Sequence, residues 1–154
     1  MRFRYHKIFF ILFGLILSGC GYNVAGRIEE SVLSKCNAQK PCIIELKSVT
    51  PFSWDEMYFF DNALLSQEVN TILKQHIFSS PNESSHKMVF FMNGKIIYKE
   101  EQITDIEKAF DGEIYFEIDQ SKKYGKFTHE AAFDVAKRES SEGTQYDLKC
   151  VNCE

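Results

Sequence analysis

The dipeptide Asn93-Gly94 constrains this chain more than any other short stretch. It separates "MVFFM" from "KIIYKEE", two runs rich in strand-forming residues. Asn and Gly both accept positive φ, which a two-residue hairpin turn requires. Residues 88–101 are therefore expected as a β-hairpin. The segments after it continue in the same style. "EIYFEID" (113–119) puts Ile114, Phe116 and Ile118 on one face. In "KFTHEAAFDVAKRE" (126–139), Phe127, His129, Ala131, Phe133 and Val135 alternate with Thr128, Glu130, Ala132, Asp134 and Ala136. Its Ala, Glu and Lys would suit a helix, but the period of two favours one strand. "SSEGT" then turns, and "QYDLKCV" (145–151) pairs back as the last strand.

The first half of the chain reads differently. Val24, Ile28 and Val32 recur at spacing four around "RIEESVLSKC" (27–36), as in a short amphipathic helix, and Pro41 prevents its extension. "CIIELKSV" (42–49) alternates, with Ile44 and Leu46 inward, and Met57 to Phe60 can form a second short strand. "NALLSQEVNTILKQHIF" (62–78) is the clearest helix, with Val69, Ile72, Leu73 and Ile77 on one face and Ser66 as its cap. "SSPNESSHK" (79–87) and "TDIEKAFDG" (104–112) read as connections. Strands in series joined by short turns imply an α+β fold. The expectation is one antiparallel sheet of about five or six strands, with two helices packed on one face.

The amino terminus stands apart. Arg2, Arg4 and Lys7 precede an apolar run from Ile8 to Leu17, and the small residues Ser18 and Gly19 follow. Charged, apolar, then small is the layout of a secretory signal. A membrane-spanning helix needs about 20 apolar residues, more than this run supplies. Leu17-Ser18-Gly19-Cys20 resembles the lipobox of bacterial lipoproteins. The resemblance implies a diacylglycerol on the Cys20 thiol, cleavage before Cys20 and acylation of the new amino group. Two or more acyl chains hold a protein firmly on a membrane, where one does not. Gly21 replaces the Asp that marks inner-membrane retention. In a Gram-negative source the resemblance therefore implies the outer membrane, facing the periplasm; in a Gram-positive one, the plasma membrane. The expected organisation is a signal over 1–19, a lipidated tether over 20–26 and a single α+β domain over 27–154.

Removing the signal takes Lys and Arg from 18 to 15 against 22 acidic residues, a formal charge of −7. Such a domain repels phosphate backbones, so nucleic acid is not an expected partner. Five cysteines become four if Cys20 carries lipid: Cys36, Cys42, Cys150 and Cys153. In an oxidising compartment they are expected to pair. Local pairing of Cys36 with Cys42 and Cys150 with Cys153 is preferred, and pairings that tie the first strand to the last stay open.

Candidate sites are few. Phe52, Trp54, Asp55 and Tyr58 concentrate aromatic rings around a carboxylate and can form a partner-binding patch. The alternative is that the rings plug a sheet edge while Asp55 caps a turn. With Phe60 these residues resemble a Phe-x-Trp-Asp-x-x-Tyr-x-Phe pattern of small bacterial lipoproteins, as do the Asn-Gly hairpin and "AAFDVAK". That likeness brings no catalytic residues. Cys150-Val151-Asn152-Cys153 has the spacing of redox and zinc sites, yet it follows a strand, without the helix start that stabilises a thiolate. His76 is expected at a helix end, His86 in a loop, and His129 on a strand face. Glu100-Glu101 reads as a solvated pair. No phosphate loop, nucleotide fingerprint or calcium loop is present, and no metal or cofactor is expected. The expectation is a non-enzymatic, lipid-anchored module that binds another envelope protein. Neutralising an imported toxin, as lipoprotein immunity factors do, is one such role. The rival readings are an envelope thiol-disulfide oxidoreductase using Cys150 and Cys153, and a hydrolase with Asp55 or a Glu facing a cleft beside His129. Oligomeric state is left open.

Overall fold

A computed structural model describes residues 23–36, 41–79, 84–103 and 112–153. The expected signal, Cys20 and most of the 104–112 connection lie outside the described residues. Among those residues there are two α-helices and eight strands. In chain order they are α1 (Val24–Lys35), β1 (Ile43–Glu45), β2 (Glu56–Phe60), α2 (Ser66–Leu73), β3 (Ser85–Met92), β4 (Lys95–Ile103), β5 (Glu113–Phe116), β6 (Tyr124–Thr128), β7 (Ala132–Ser140) and β8 (Gly143–Cys150). The α+β class is as expected. The single sheet of five or six strands is not: the strands form two four-stranded sheets, ordered β1-β7-β8-β5 and β4-β3-β2-β6. Every pairing is antiparallel except β5 with β8, where Glu113 lies beside Gln145 and Phe116 beside Leu148.

Two local features divide the sheet. The 126–139 run is not one strand. It breaks at His129-Glu130, where Ala131 N–H returns to the Thr128 carbonyl at 2.9 Å. The part before the break pairs with β2, and the part after it pairs with β1 and β8. The chain thus passes from one sheet to the other. Alternation concealed this, because Phe127 and Phe133 face the same core on both sides of the turn, their rings 5.1 Å apart. The second feature is β2, which is apolar on both faces. Met57 and Phe59 enter the main core, while Phe60 enters a second cluster with Val69, Ile77, Phe78, Val89 and Phe91. A strand apolar on both faces belongs in a sheet covered on both sides.

The helices accordingly do not share one face. Val24, Ile28 and Val32 of α1 join the core that receives side chains from both sheets. Val69 of α2 belongs to the cluster on the other face of the β4-β3-β2-β6 sheet. Helix α1 begins three residues before Arg27, so the stretch expected as tether overlaps it. Asn23 caps the helix, its side-chain oxygen accepting from Gly26 N–H at 3.0 Å. Glu100 of β4 completes the cap from across the core, accepting from Val24 N–H at 2.7 Å and Ala25 N–H at 3.2 Å. A carboxylate at a helix N-terminus is stabilised by the unpaired amides and the helix dipole. The other end of α1 is tied to the start of β1 by the Cys36–Cys42 disulfide.

In α2, the cap is Leu65 rather than Ser66, and the Glu68 side chain folds back onto Leu65 N–H at 2.8 Å. The helix stops at Leu73, short of the expected His76. Lys74 turns left-handed at φ 54°, and Asn70 captures the chain that follows. Its side-chain oxygen accepts from Ile77 and Phe78 N–H at 2.8 and 3.0 Å, and its amide donates to the Phe78 carbonyl at 2.8 Å. The hairpin forms as expected, with Asn93 at φ 52°, Gly94 at φ 71° and Met92 opposite Lys95.

Candidate functional site

The segment between the 3₁₀ turn Leu46–Ser48 and β2 passes over the core at Phe90 and Tyr98. Pro51 keeps this stretch out of regular pairing. Trp54 is only 4% exposed and meets Phe90 edge-on at 5.2 Å. Its indole N–H donates to Thr50 Oγ1 at 2.9 Å, and the Thr50 hydroxyl donates to the Leu46 carbonyl at 3.2 Å. A buried indole needs such a partner, and here it is supplied within one turn of chain. Phe52 is half-buried, 5.1 Å from the Tyr98 ring.

These residues shape an open cleft of about 420 Å³. Pro51, Phe52 and Trp54 form its apolar side, while Lys47, Thr50, Ser53 and His129 complete the lining. The rim is charged and internally paired. Lys47 Nζ lies 2.7 Å from Glu130 Oε2 and 3.8 Å from Glu45. His129 Nε2 lies 2.8 Å from Glu130 Oε1. The hydrogen bond from Lys47 holds the Glu130 carboxyl below the ordinary carboxylate range, and the same bond raises Lys47. Such a site can take an apolar side chain against the rings while polar groups of a partner meet the rim.

The four expected patch residues do not act as one. Phe52 and Trp54 line the cleft. Asp55 is a brace: its carboxylate accepts from Asn93 N–H at 2.6 Å, its own N–H donates to Phe91, and its carbonyl accepts from His129 N–H at 3.3 Å. It therefore ties the hairpin turn to the corner between β6 and β7. Tyr58 is turned to the opposite face of β2, among Phe60, Phe91 and the Lys126 ammonium. Lys47 was not expected here, and His129 beside a Glu was expected at a cleft only in the hydrolase reading. The polar triplet Thr128-His129-Glu130 interrupting an apolar alternation was the available signal for the corner that presents His129 and Glu130.

The cysteines pair locally, Cys36 with Cys42 and Cys150 with Cys153. A four-thiolate zinc site is thereby replaced by two bridges. The second bridge closes a loop at the end of β8 rather than at a helix start. Inside it, Asn152 accepts from Ala132 N–H and donates to the Glu130 carbonyl, both at 2.8 Å. The loop thus supports the corner that carries His129 and Glu130. Among the described residues, no three His, Cys, Asp or Glu side chains gather as metal ligands.

His86 is not a loop residue. It lies buried in β3, stacked on Phe59, with Nε2 3.0 Å from Glu113 Oε1. Nearby, Gln102 accepts from Ile114 N–H at 3.4 Å, so polar contacts join β5 to the β4-β3-β2-β6 sheet. Glu100 is not a solvated carboxylate either, since it caps α1. No protein-family model matches the chain, and neither a curated protein nor a solved structure does.

Proposed function

We propose that this protein is a lipid-anchored envelope lipoprotein whose domain is a non-enzymatic binding module for another envelope protein. The cleft beside Phe52 and Trp54 is its recognition site. The observation that carries this reading is the cleft itself, where an apolar wall meets a rim whose charged groups already satisfy one another. Interface hot spots are enriched in aromatic side chains, Trp and Tyr above all, seated in well-packed pockets. Local pairing of Cys36, Cys42, Cys150 and Cys153 supports an oxidising compartment and leaves Cys20 as the one cysteine for lipid. A role in neutralising a toxin is one form such binding can take.

The geometry lends less to the rival readings. A hydrolase would need Asp55 or a Glu facing the cleft beside His129: one Asp55 oxygen is bonded to Asn93, and the Glu beside His129 is Glu130, already paired with Lys47. A thiol oxidoreductase would need a stabilised thiolate at Cys150, and this bridge sits at a strand end. The test is crosslinking capture from an envelope fraction by the native, membrane-bound protein and by Phe52→Glu. Capture lost in a variant with unchanged circular dichroism supports the cleft. Equal capture by both removes it from the proposal.

A further inference from the structure

The two disulfides stand in different surroundings. Cys42 is 8% exposed and belongs to the main core, with Cys36 packed against it. Cys153 is exposed, and so are Val151 and Asn152, the residues its bridge encloses. Exposed bridges are the more easily reduced by thiol exchange, and shielded ones resist it.

What the exposed bridge encloses is a brace. Val151 N–H donates to the Ala132 carbonyl at 2.9 Å. The Asn152 side chain accepts from Ala132 N–H and donates to the Glu130 carbonyl, both at 2.8 Å. One loop thus holds Ala132 at both its N–H and its carbonyl. Between these residues, the Ala131 carbonyl accepts from Leu46 N–H at 3.4 Å, and Leu46 opens the 3₁₀ turn that carries Lys47. The loop therefore steadies the backbone from which Glu130 reaches Lys47 at 2.7 Å and His129 at 2.8 Å. The Glu130 side chain is 61% exposed, so it takes its position from that backbone rather than from packing.

We propose that the Cys150–Cys153 bridge is a redox-sensitive latch on the cleft, whose reduction releases the Val151-Asn152 brace and relaxes the Lys47–Glu130 rim. The reductant is a dithiol. One of its thiolates attacks Cys153 Sγ, the S–S bond breaks, and Cys150 leaves as a thiolate and takes a proton. The second thiol of the reductant loses its proton, attacks the reductant's own sulfur in the mixed disulfide and expels Cys153, which is protonated in turn. Two electrons and two protons have then passed to the bridge, and the dithiol ends as a disulfide. Resting on the reading of the cleft as a recognition site, the oxidised form is the one that binds, because its rim is pre-organised.

The native protein is treated with graded dithiothreitol, alkylated and mapped by mass. Cys150 and Cys153 should be labelled at concentrations that leave Cys36 and Cys42 paired. Amide exchange at Ala132 should then quicken about tenfold, as local opening of the brace requires. The Glu130 midpoint, read by carboxyl NMR, should rise toward 4.5 as the hold of Lys47 weakens. Asn152→Ala should raise that midpoint with the bridge still closed. Cys150→Ser with Cys153→Ser should match the reduced protein and give no response to dithiothreitol. An Ala132 amide and a Glu130 midpoint unmoved by opening this bridge overturn the latch, as does reduction of Cys36–Cys42 first. The reduced protein should capture less from an envelope fraction than the oxidised one, and equal capture overturns the gating of binding. Equal capture by Phe52→Glu instead removes the recognition reading and leaves the latch to stand or fall on the Glu130 midpoint.

Discussion

Glu100 supplies the negative charge that α1 lacks in its own first turn. It is held in place by the Tyr98 hydroxyl. Glu100→Ala should cost about 1–3 kcal/mol, the loss of two charge-assisted bonds and a favourable dipole contact. Glu100→Gln keeps an acceptor and should cost less. Urea unfolding followed by Trp54 emission measures both, and equal stabilities would contradict the cap. At the cleft rim, the Glu130 carboxyl is held below its ordinary value of 4.5, first by the Lys47 hydrogen bond and then by its charge. A depressed folded value stabilises above pH 4.5, and the contribution is lost as pH falls through the folded value. Lys47 is raised above 10.5 by the same partner, so its share is lost as pH rises through its folded value. The pair contributes between those limits. Lys47→Met should move the Glu130 titration, read by carboxyl NMR, up toward 4.5; an unmoved midpoint would deny the pairing.

At the level of elements, the hairpin turn and the segment after α2 are the most exposed to single changes. Gly94 sits at φ 71° with open space where a Cβ would project, so Gly94→Ala should cost only backbone strain, about 1 kcal/mol. Asn70→Ala removes the three hydrogen bonds to the backbone of Ile77 and Phe78 and leaves those groups short of partners, for about 2–3 kcal/mol. Both are read from denaturation midpoints. The hairpin was legible because Asn-Gly encodes its own geometry. The inward faces of Ile44, Leu46, Phe133 and Val135 were legible from period two, and the bridges from the short span between cysteines. What escaped depended on partners distant in sequence. Nothing near Val24 announces Glu100, and nothing near β5 announces a parallel partner in β8. The Trp54 stretch read equally as a partner patch or a sheet-edge plug, because its aromatic density is the same either way; Trp54 packs edge-on against Phe90, and both Phe52 and Trp54 line the cleft. For the candidate site, Phe52 and Trp54 were readable, but the Lys47, His129 and Glu130 rim waited on the corner between β6 and β7.

For the whole molecule, the bridges brace the ends of the fold. Loop-closure entropy for a loop as short as Cys36 to Cys42 is worth about 2 kcal/mol, so Cys36→Ser with Cys42→Ser should lower stability by that amount. Alkylation of the denatured, unreduced mature protein should find none of these four thiols free. The two sheets also differ in when they can exist. Every strand of the β4-β3-β2-β6 sheet is available once Thr128 has been delivered, whereas β1 and β5 wait for β7 and β8. A chain emerging amino terminus first therefore completes one sheet early, while Ile44, Ile114 and Phe116 remain uncovered until Cys150 appears. Truncation before Ala132 would keep the segment that forms the cleft's aromatic wall and lose the β7-β8 layer that closes the core. Residues 132–154 thus decide whether the rest of the polypeptide can bury what it has already exposed.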